Sequence, residues 1–345
     1  MKGIVIESPG VQRFVDLQQP SPGPDEVLVQ VRYAGVCRSD LELFDGSRPP
    51  SHRRYPVTPG HEWSGVVLES GPQARRFRPG QRVVAGGILF CEKCENCSRG
   101  RTNLCSSGYS EIGFTRPGAF AEALVVPARS LEVVPDDVSL KLAALAEPGA
   151  CAFHGVCRAA IKEGETVLVI GAGTIGLLAV ALANHARPGR LVVLGNDSAR
   201  NQIALLLGAS HAVLAGPDAV ERVRELTGGG PHVVIEAAGT PLAVEQAFDV
   251  VRPGGRVVLE GVIGGGHRSC LATDEWVVKD ITVHGVMGAD RASVRGVVDL
   301  LSRGLLNVLP VIRDVLPLAE FPEALRRLRE ERECPPKILL AARSG

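Results

Sequence analysis

The chain has 345 residues, enough for two domains with separate cores, and its 45% hydrophobic and 22% charged residues are the composition of a soluble globular protein. Its 38 basic residues balance 38 acidic ones, so no net field draws it to nucleic acid or an anionic membrane. The opening MKGIVIESPG lacks the long apolar region of a secretory signal, and runs such as LLAVALA at 177–183 are too short to span a bilayer, so a cytoplasmic protein is expected.

Residues 1–148 carry short β-like runs, among them EVLVQVRY, SGVVLES, QRVVAGG and AEALVVP, broken by glycine and proline. This reads as an irregular β-rich domain. Within it lie GVCRSD at 35–40 and PGHEWSGVV at 59–67. Next comes CEKCENCSRGRTNLC, in which Cys91, Cys94, Cys97 and Cys105 are spaced C-x2-C-x2-C-x7-C. Four thiolates in one loop close a tetrahedron around zinc and leave no open position, so this lobe, 91–105, is read as a structural zinc site that performs no reaction. A ferredoxin loop would end C-x3-C-P, whereas the last gap here is seven residues and Ser106 follows. The odd total of nine cysteines argues against a disulfide framework, and lone thiols such as Cys270 and Cys334 are read as inert.

A catalytic zinc needs three protein ligands and one open position. Cys37, His61 and Glu147 (or Glu62) would supply that set, with Asp40 accepting from the far ring nitrogen of His61. Glu147 comes from LAEPGACAFHG at 145–155. Taken singly, a cysteine or histidine is more often packing than ligand. Spacing alone leaves this set open.

The strand-like ETVLVI at 165–170 runs into Gly171-Ala-Gly173-Thr174-Ile175-Gly176, and the helical LLAVALANHA follows. Between strand and helix, G-x-G-x-x-G is a dinucleotide fingerprint. Gly171 allows the tight turn, Gly173 admits the pyrophosphate to the backbone, and Gly176 lets helix and strand pack closely. Strands are expected near 190–194, 212–214, 232–236, 256–260 and 281–285, with helices at 198–207, 217–227 and 241–251. Together these make an α/β doubly wound parallel sheet. Residues 289–345 supply two helical stretches and a last strand, KILLAA.

GVCRSD, PGHEWSG, the four-cysteine lobe, EPGACAFHG, GAGTIG and VRPGGR stand in the order found in the zinc-dependent medium-chain dehydrogenase/reductase (alcohol dehydrogenase) family, which this chain resembles over nearly its whole length. The Glu-Pro at 147–148 is similar to the sorbitol (polyol) dehydrogenase branch, and EIGFTRPGAFAE to 2-deoxy-scyllo-inosamine and threonine dehydrogenases. The resemblance implies a GroES-like catalytic domain made of 1–148 and 289–345, with a Rossmann coenzyme domain, 149–288, inserted between them. It implies two zinc ions per chain. Cys37 and His61 would hold the catalytic one, Glu147 would bind it directly or through water, and Glu62 would be an exchanging partner. Ser39 is expected to take the substrate proton, and Arg38 to contact the pyrophosphate. Where many relatives carry a relay histidine, this chain has Glu42, a proton relay, a substrate contact or a solvated charge.

The expected activity is hydride transfer between NAD(P) and a secondary alcohol of a polyol, sugar or aminocyclitol. A threonine-type or primary-alcohol dehydrogenase is the alternative, and a non-catalytic zinc- and dinucleotide-binding relative the rival of another class. The family's acidic ribose-reading position falls on Gly195, while Asn196 and Arg200 are placed to bind a phosphate, which favours NADP over NAD. Asp197 could reach the ribose if the turn shifts by two residues. The apolar ITVHGVMG, an edge strand, points to a homodimer or homotetramer.

Overall fold

Runs of valine, leucine and isoleucine too short for helices build the nucleotide half. The computed structural model describes residues 1–262, 264, 266–330 and 335–342; Cys334 lies outside them. Six strands, Thr166–Ile170, Arg190–Gly195, His211–Leu214, Val233–Glu236, Arg256–Leu259 and Thr282–Gly285, form one parallel sheet. Counted 1 to 6 along the chain, they lie side by side as 3-2-1-4-5-6. That order places a ligand crevice at the carboxyl ends of strands 1 and 4, where the winding reverses.

Both faces of this sheet are covered. Val167 and Val169 pack into one core and Leu168 and Ile170 into the other, the period-two alternation of a strand buried on both sides. The covering helices run Ser198–Leu206, Ala219–Thr227 and Pro241–Val250, each close to its expected interval. The helix Thr273–Lys279 was not anticipated. It is short, and its Val277 and Val278 are exposed, so no buried stripe announces it.

The β-rich half is a seven-stranded sheet. Its longest strand, Glu26–Val36, pairs antiparallel with Glu62–Ser70, Ala123–Pro127 and Lys337–Ala341. The strand Lys337–Ala341 thus lies against one from the first forty residues, with Ile338 opposite Val36. Trp63, Phe120, Phe321 and Leu340 fill the core beneath.

One helix joins the halves. Ala146–Ala159 is alanine-rich, with Pro148 in its first turn, where a missing N–H costs nothing. The boundary expected at 148/149 falls inside it. The helix is continuous there because its small residues pack into a single core in which Val84 and Val134 of the β-rich half meet Val167 and Leu178 of the parallel sheet. No helix among the described residues is long and apolar enough to cross a membrane.

Candidate metal and cofactor site

Cys37 ends the longest strand and caps the helix Arg38–Asp45. Its backbone is extended, its sulfur accepts from the N–H of Asp40, and the Asp40 carboxylate accepts from the Cys37 N–H at 2.8 Å. This reciprocal cap fixes the thiol over the helix N-terminus and brings Ser39 into the first turn. The Ser39 hydroxyl lies 3.4 Å from His61 Nε2.

His61 leaves a turn that only glycine can make. Gly60 has φ of 96°, and a Cβ on it would stand 2.5 Å from the Phe120 ring. The imidazole packs against Phe114 with ring centroids 4.9 Å apart. On its other side, His61 Nδ1 stands 3.6 Å from Asp40 Oδ1, too far for a hydrogen bond, and both atoms are buried without a partner. A ring whose Nε2 binds a metal carries its proton on Nδ1, and Asp40 is the acceptor waiting for it.

The donor atoms of Cys37, His61 and Glu62 lie within 4.8 Å of one another, a sulfur, nitrogen and oxygen set of the kind zinc takes. Glu62 is not free, however. Both of its oxygens accept from Lys337 Nζ, at 2.8 and 2.6 Å, and that ammonium also donates to the Val36 carbonyl at 3.1 Å. The pair is almost wholly buried.

Glu147 stands outside this triad. A Cβ built on Gly87 would lie 3.4 Å from His61 Cβ, 3.5 Å from Glu147 Oε1 and 3.2 Å from Glu111 Oε1. Gly87 therefore lets the Glu111 and Glu147 carboxylates approach the histidine closely, where a side chain would crowd all three. Burial, reinforced by Glu62 and Glu111 against the pull of His61 and Lys337, pushes the Glu147 carboxyl up to about 7.

Glu111 was not foreseen. Its Oε2 accepts from Arg48 at 2.6 Å, and the same Arg48 nitrogen donates to Tyr109 at 2.6 Å while the guanidinium lies 3.6 Å from the Phe114 ring centroid. Its Oε1 has no hydrogen-bond partner among the described residues. Lys337 escaped notice as well. The only signal for either was a charge inside an apolar run, KILLAA or EIGF. Arg38 and Glu42 face outward and pair with each other at 3.9 Å, with 83% and 43% of their side chains exposed.

The four-cysteine lobe has the geometry of a closed site. The Sγ atoms of Cys91 and Cys97, and of Cys94 and Cys105, are each 3.9 Å apart. Thiolates about 2.3 Å from a zinc stand about 3.8 Å from one another. The N–H groups of Lys93 and Cys94 point at the Cys91 sulfur, at 3.4 and 3.3 Å, and Ser106 N–H at that of Cys94, as suits negative sulfur. All described cysteines are free.

The glycine loop fits a dinucleotide. Gly171 has φ of 104°, and a Cβ there would stand 2.9 Å from the Ala238 nitrogen. A Cβ on Gly176 would lie 1.8 Å from the Gly171 oxygen, whereas one on Gly173 would meet nothing within 4 Å. The open face at Gly173 leads onto the N-terminus of the helix Thr174–Asn184, where no side chain caps the N–H groups. Thr174 and Ile175 are half-buried in its first turn.

At the end of the next strand Gly195 is buried, and a Cβ on it would stand 2.1 Å from Asn201 Oδ1. Asn196 after it is exposed. Asp197 caps the following helix, its Oδ1 accepting from Arg200 N–H at 2.9 Å, while its Oδ2 is buried without a partner.

A doubly wound sheet with a glycine-rich phosphate loop, together with a cysteine, histidine and carboxylate donor set, is the combination of a metal-assisted, dinucleotide-dependent oxidoreductase. The chain matches the model of the alcohol dehydrogenase GroES-like domain over residues 23–136 and that of zinc-binding dehydrogenase over 174–303. It is 30% identical over 320 residues to L-threonine 3-dehydrogenase of Shewanella sediminis (strain HAW-EB3), with 92% of each chain covered. A structure from Sinorhizobium meliloti 1021, described as a zinc-binding dehydrogenase bound to NADP, superposes with a TM-score of 0.91 at 32% identity, over 99% of this chain and 98% of that one. Galactitol-1-phosphate dehydrogenase from Escherichia coli does so with a TM-score of 0.88 at 28% identity, over 99% and 100%. The chain belongs to the zinc-dependent medium-chain dehydrogenase/reductase (alcohol dehydrogenase) family, with a GroES-like domain joined to a Rossmann domain, and is an NAD(P)-dependent enzyme of the alcohol dehydrogenase type.

Replacing Cys97 by alanine removes one donor from the lobe and leaves Cys37 and His61 untouched. Elemental analysis of the purified variant is expected to show one zinc per chain fewer than wild type, with a lower Tm. An unchanged zinc content would exclude metal from the lobe.

Proposed function

We propose that the protein oxidises a secondary alcohol of a polyol, sugar or aminocyclitol, or reduces the matching ketone, with two zinc ions per chain and NADP as preferred cofactor. The observation that carries this reading is the gathering of two carboxylates, Glu111 and Glu147, beside His61 around Gly87. The nearest cations are already engaged, Arg48 by Glu111 and Lys337 by Glu62. What the surroundings of His61 offer an incoming molecule is therefore hydrogen-bond acceptors, which suit a substrate with several hydroxyl or ammonium donors.

Cys37 and His61, with Glu147 or Glu62, would hold the catalytic zinc. When bound, the zinc supplies a Lewis acid that lowers the substrate hydroxyl's pKa, and the nicotinamide supplies the hydride acceptor. Ser39 Oγ, 3.4 Å from His61 Nε2, would take the substrate proton. Asp40 orients the imidazole, and Glu111, held by Arg48, receives a second polar group of the substrate. The threonine-type reading draws on the same acceptors and on the relative at 30% identity.

A panel of polyols, aminocyclitols, L-threonine and primary alcohols tests the substrate class. Polyols or aminocyclitols are expected to show the highest kcat/KM, and Glu111→Gln to raise their KM more than that of a primary alcohol. A primary alcohol as best substrate, indifferent to Glu111→Gln, would exclude the reading.

NADP preference rests on the end of the second parallel strand. Gly195 brings no carboxylate there, the packing of Asn201 leaves no room for one, and one oxygen of Asp197, Oδ1, is engaged as a helix cap. Arg200 is expected to meet the 2′-phosphate, so Arg200→Ala should weaken NADP by about 10- to 150-fold in kcat/KM and leave NAD nearly unchanged. Wild-type preference for NAD, abolished by Asp197→Ala, would make Asp197 the ribose ligand instead.

The strand Thr282–Gly285 lies at the sheet edge with Val283 37% exposed, and Val277 and Val278 of the preceding helix are 81% and 84% exposed. This apolar edge suits pairing with a second copy, giving a homodimer or homotetramer. Light scattering at micromolar concentration is expected to give at least twice the chain mass, and a monomer mass would refute the pairing.

A further inference from the structure

Glu260 is a half-buried acid with no assigned task. It follows the strand Arg256–Leu259 directly, with its N–H bonded to the Glu236 carbonyl at 2.9 Å. Both carboxylate oxygens are buried and neither has a hydrogen-bond partner. None of the ion pairs among the described residues includes it. Burial, with Glu236 beside it, holds its pKa well above the usual carboxylate range. In the protein alone the group is therefore a neutral acid with both oxygens unpartnered, and a cationic partner is what would draw off its proton and hold it ionised.

Its position says what that partner is. The carboxyl occupies a notch in the joining helix, where a Cβ on Gly155 would stand 1.2 Å from Glu260 Oε1. Gly155, Cys151 and Glu147 are spaced four residues apart and share one face of that helix. Cys151 Sγ is 3.8 Å from Glu147 Oε1, and burial and then the charges of Glu147 and Glu260 push the Cys151 thiol up, so Cys151 stands between the two acids. This face therefore leads from the metal pocket to the carboxyl edge of the parallel sheet.

The same edge carries the cofactor. Gly171 of the phosphate loop abuts Ala238, just past the strand that ends in Glu236, the neighbour of the Glu260 strand. A dinucleotide whose phosphates sit at the N-terminus of the helix Thr174–Asn184 must extend across these strand ends for its ring to come within about 3.5 Å of a substrate in the metal pocket. The ring then passes the Glu147–Cys151–Gly155 face. Oxidised nicotinamide is a cation and reduced nicotinamide is neutral.

We infer that Glu260 is the counter-charge of the oxidised nicotinamide ring, binding NAD(P)+ in preference to NAD(P)H. The groups facing it, Glu236 from the neighbouring strand and Cys151 with Glu147 from the helix, carry no positive charge that could serve instead. Pairing with the cationic ring releases the Glu260 proton and satisfies oxygens that the protein alone leaves without a partner.

The inference rests on the nicotinamide cofactor of the family and is tested by binding rather than turnover. Dissociation constants of oxidised and reduced cofactor are measured by calorimetry on the zinc-loaded protein without alcohol, for wild type, Glu260→Gln and Glu260→Val. Both variants are expected to raise the Kd of the oxidised form at least about tenfold while that of the reduced form changes less than about threefold, with Tm equal to or above wild type. Glutamine keeps the shape of the side chain, so Glu260→Gln decides the matter if the valine variant does not fold. Parallel changes in both constants, or no change in either, would overturn the role of Glu260. A wild-type protein that binds neither form would overturn the cofactor reading itself.

Discussion

The buried ion pair between Glu62 and Lys337 is the constraint around which the catalytic half is arranged. Its members are 275 residues apart in the chain, each has 2% of its side chain exposed, and the ammonium donates to both carboxylate oxygens and to the Val36 carbonyl. Removing either partner would strand a charge in the core at a cost of about 3–5 kcal/mol. The pair binds the last strand, Lys337–Ala341, to Glu62–Ser70 and Glu26–Val36, and each of its anchors adjoins a candidate metal ligand. Cys37 follows Val36, and His61 precedes Glu62. Gly35 takes part too, because a Cβ there would stand 2.1 Å from Glu62 Oε2. Strand pairing, charge pairing and ligand placement are thus one requirement.

The helix Ala146–Ala159 carries that arrangement into the coenzyme half. Its first turn presents Glu147 to the pocket, and its body lies in the core shared with the parallel sheet. Small residues do the fitting. Gly149 faces Val297 of the helix Arg291–Ser302, and Gly155 admits Glu260. A rigid helix common to both halves sets the distance between pocket and cofactor edge, which hydride transfer needs to hold within fractions of an ångström.

The electrostatics of the pocket follow from what it excludes. Glu62, Glu111 and Glu147 gather around one histidine, and among the described residues the cations that reach them are Arg48 and Lys337. A divalent metal ion would offset this excess of acid, and positive or donor-rich ligands would be drawn to what remains. The same logic holds at the sheet edge, where Glu236 and Glu260 stand side by side with their burial only partly compensated.

Local spacing by itself determined much of this protein. The C-x2-C-x2-C-x7-C lobe and G-x-G-x-x-G were legible because their parts lie within fifteen and six residues, so chain geometry alone brings them together. The six strands were legible because strands buried on both faces must be apolar throughout. The open metal pocket was not, since Cys37, His61 and Glu147 are scattered over 110 residues and only the order of whole motifs, through resemblance, suggested them. That Glu62 rather than Glu147 lies in the tight donor triad, that Lys337 holds it, and that Glu111 and Glu260 face inward were decided by tertiary structure alone. A charged residue in a sequence carries no sign of whether its partner is water or a side chain 275 positions away. Only the packing that excludes water from the core settles which.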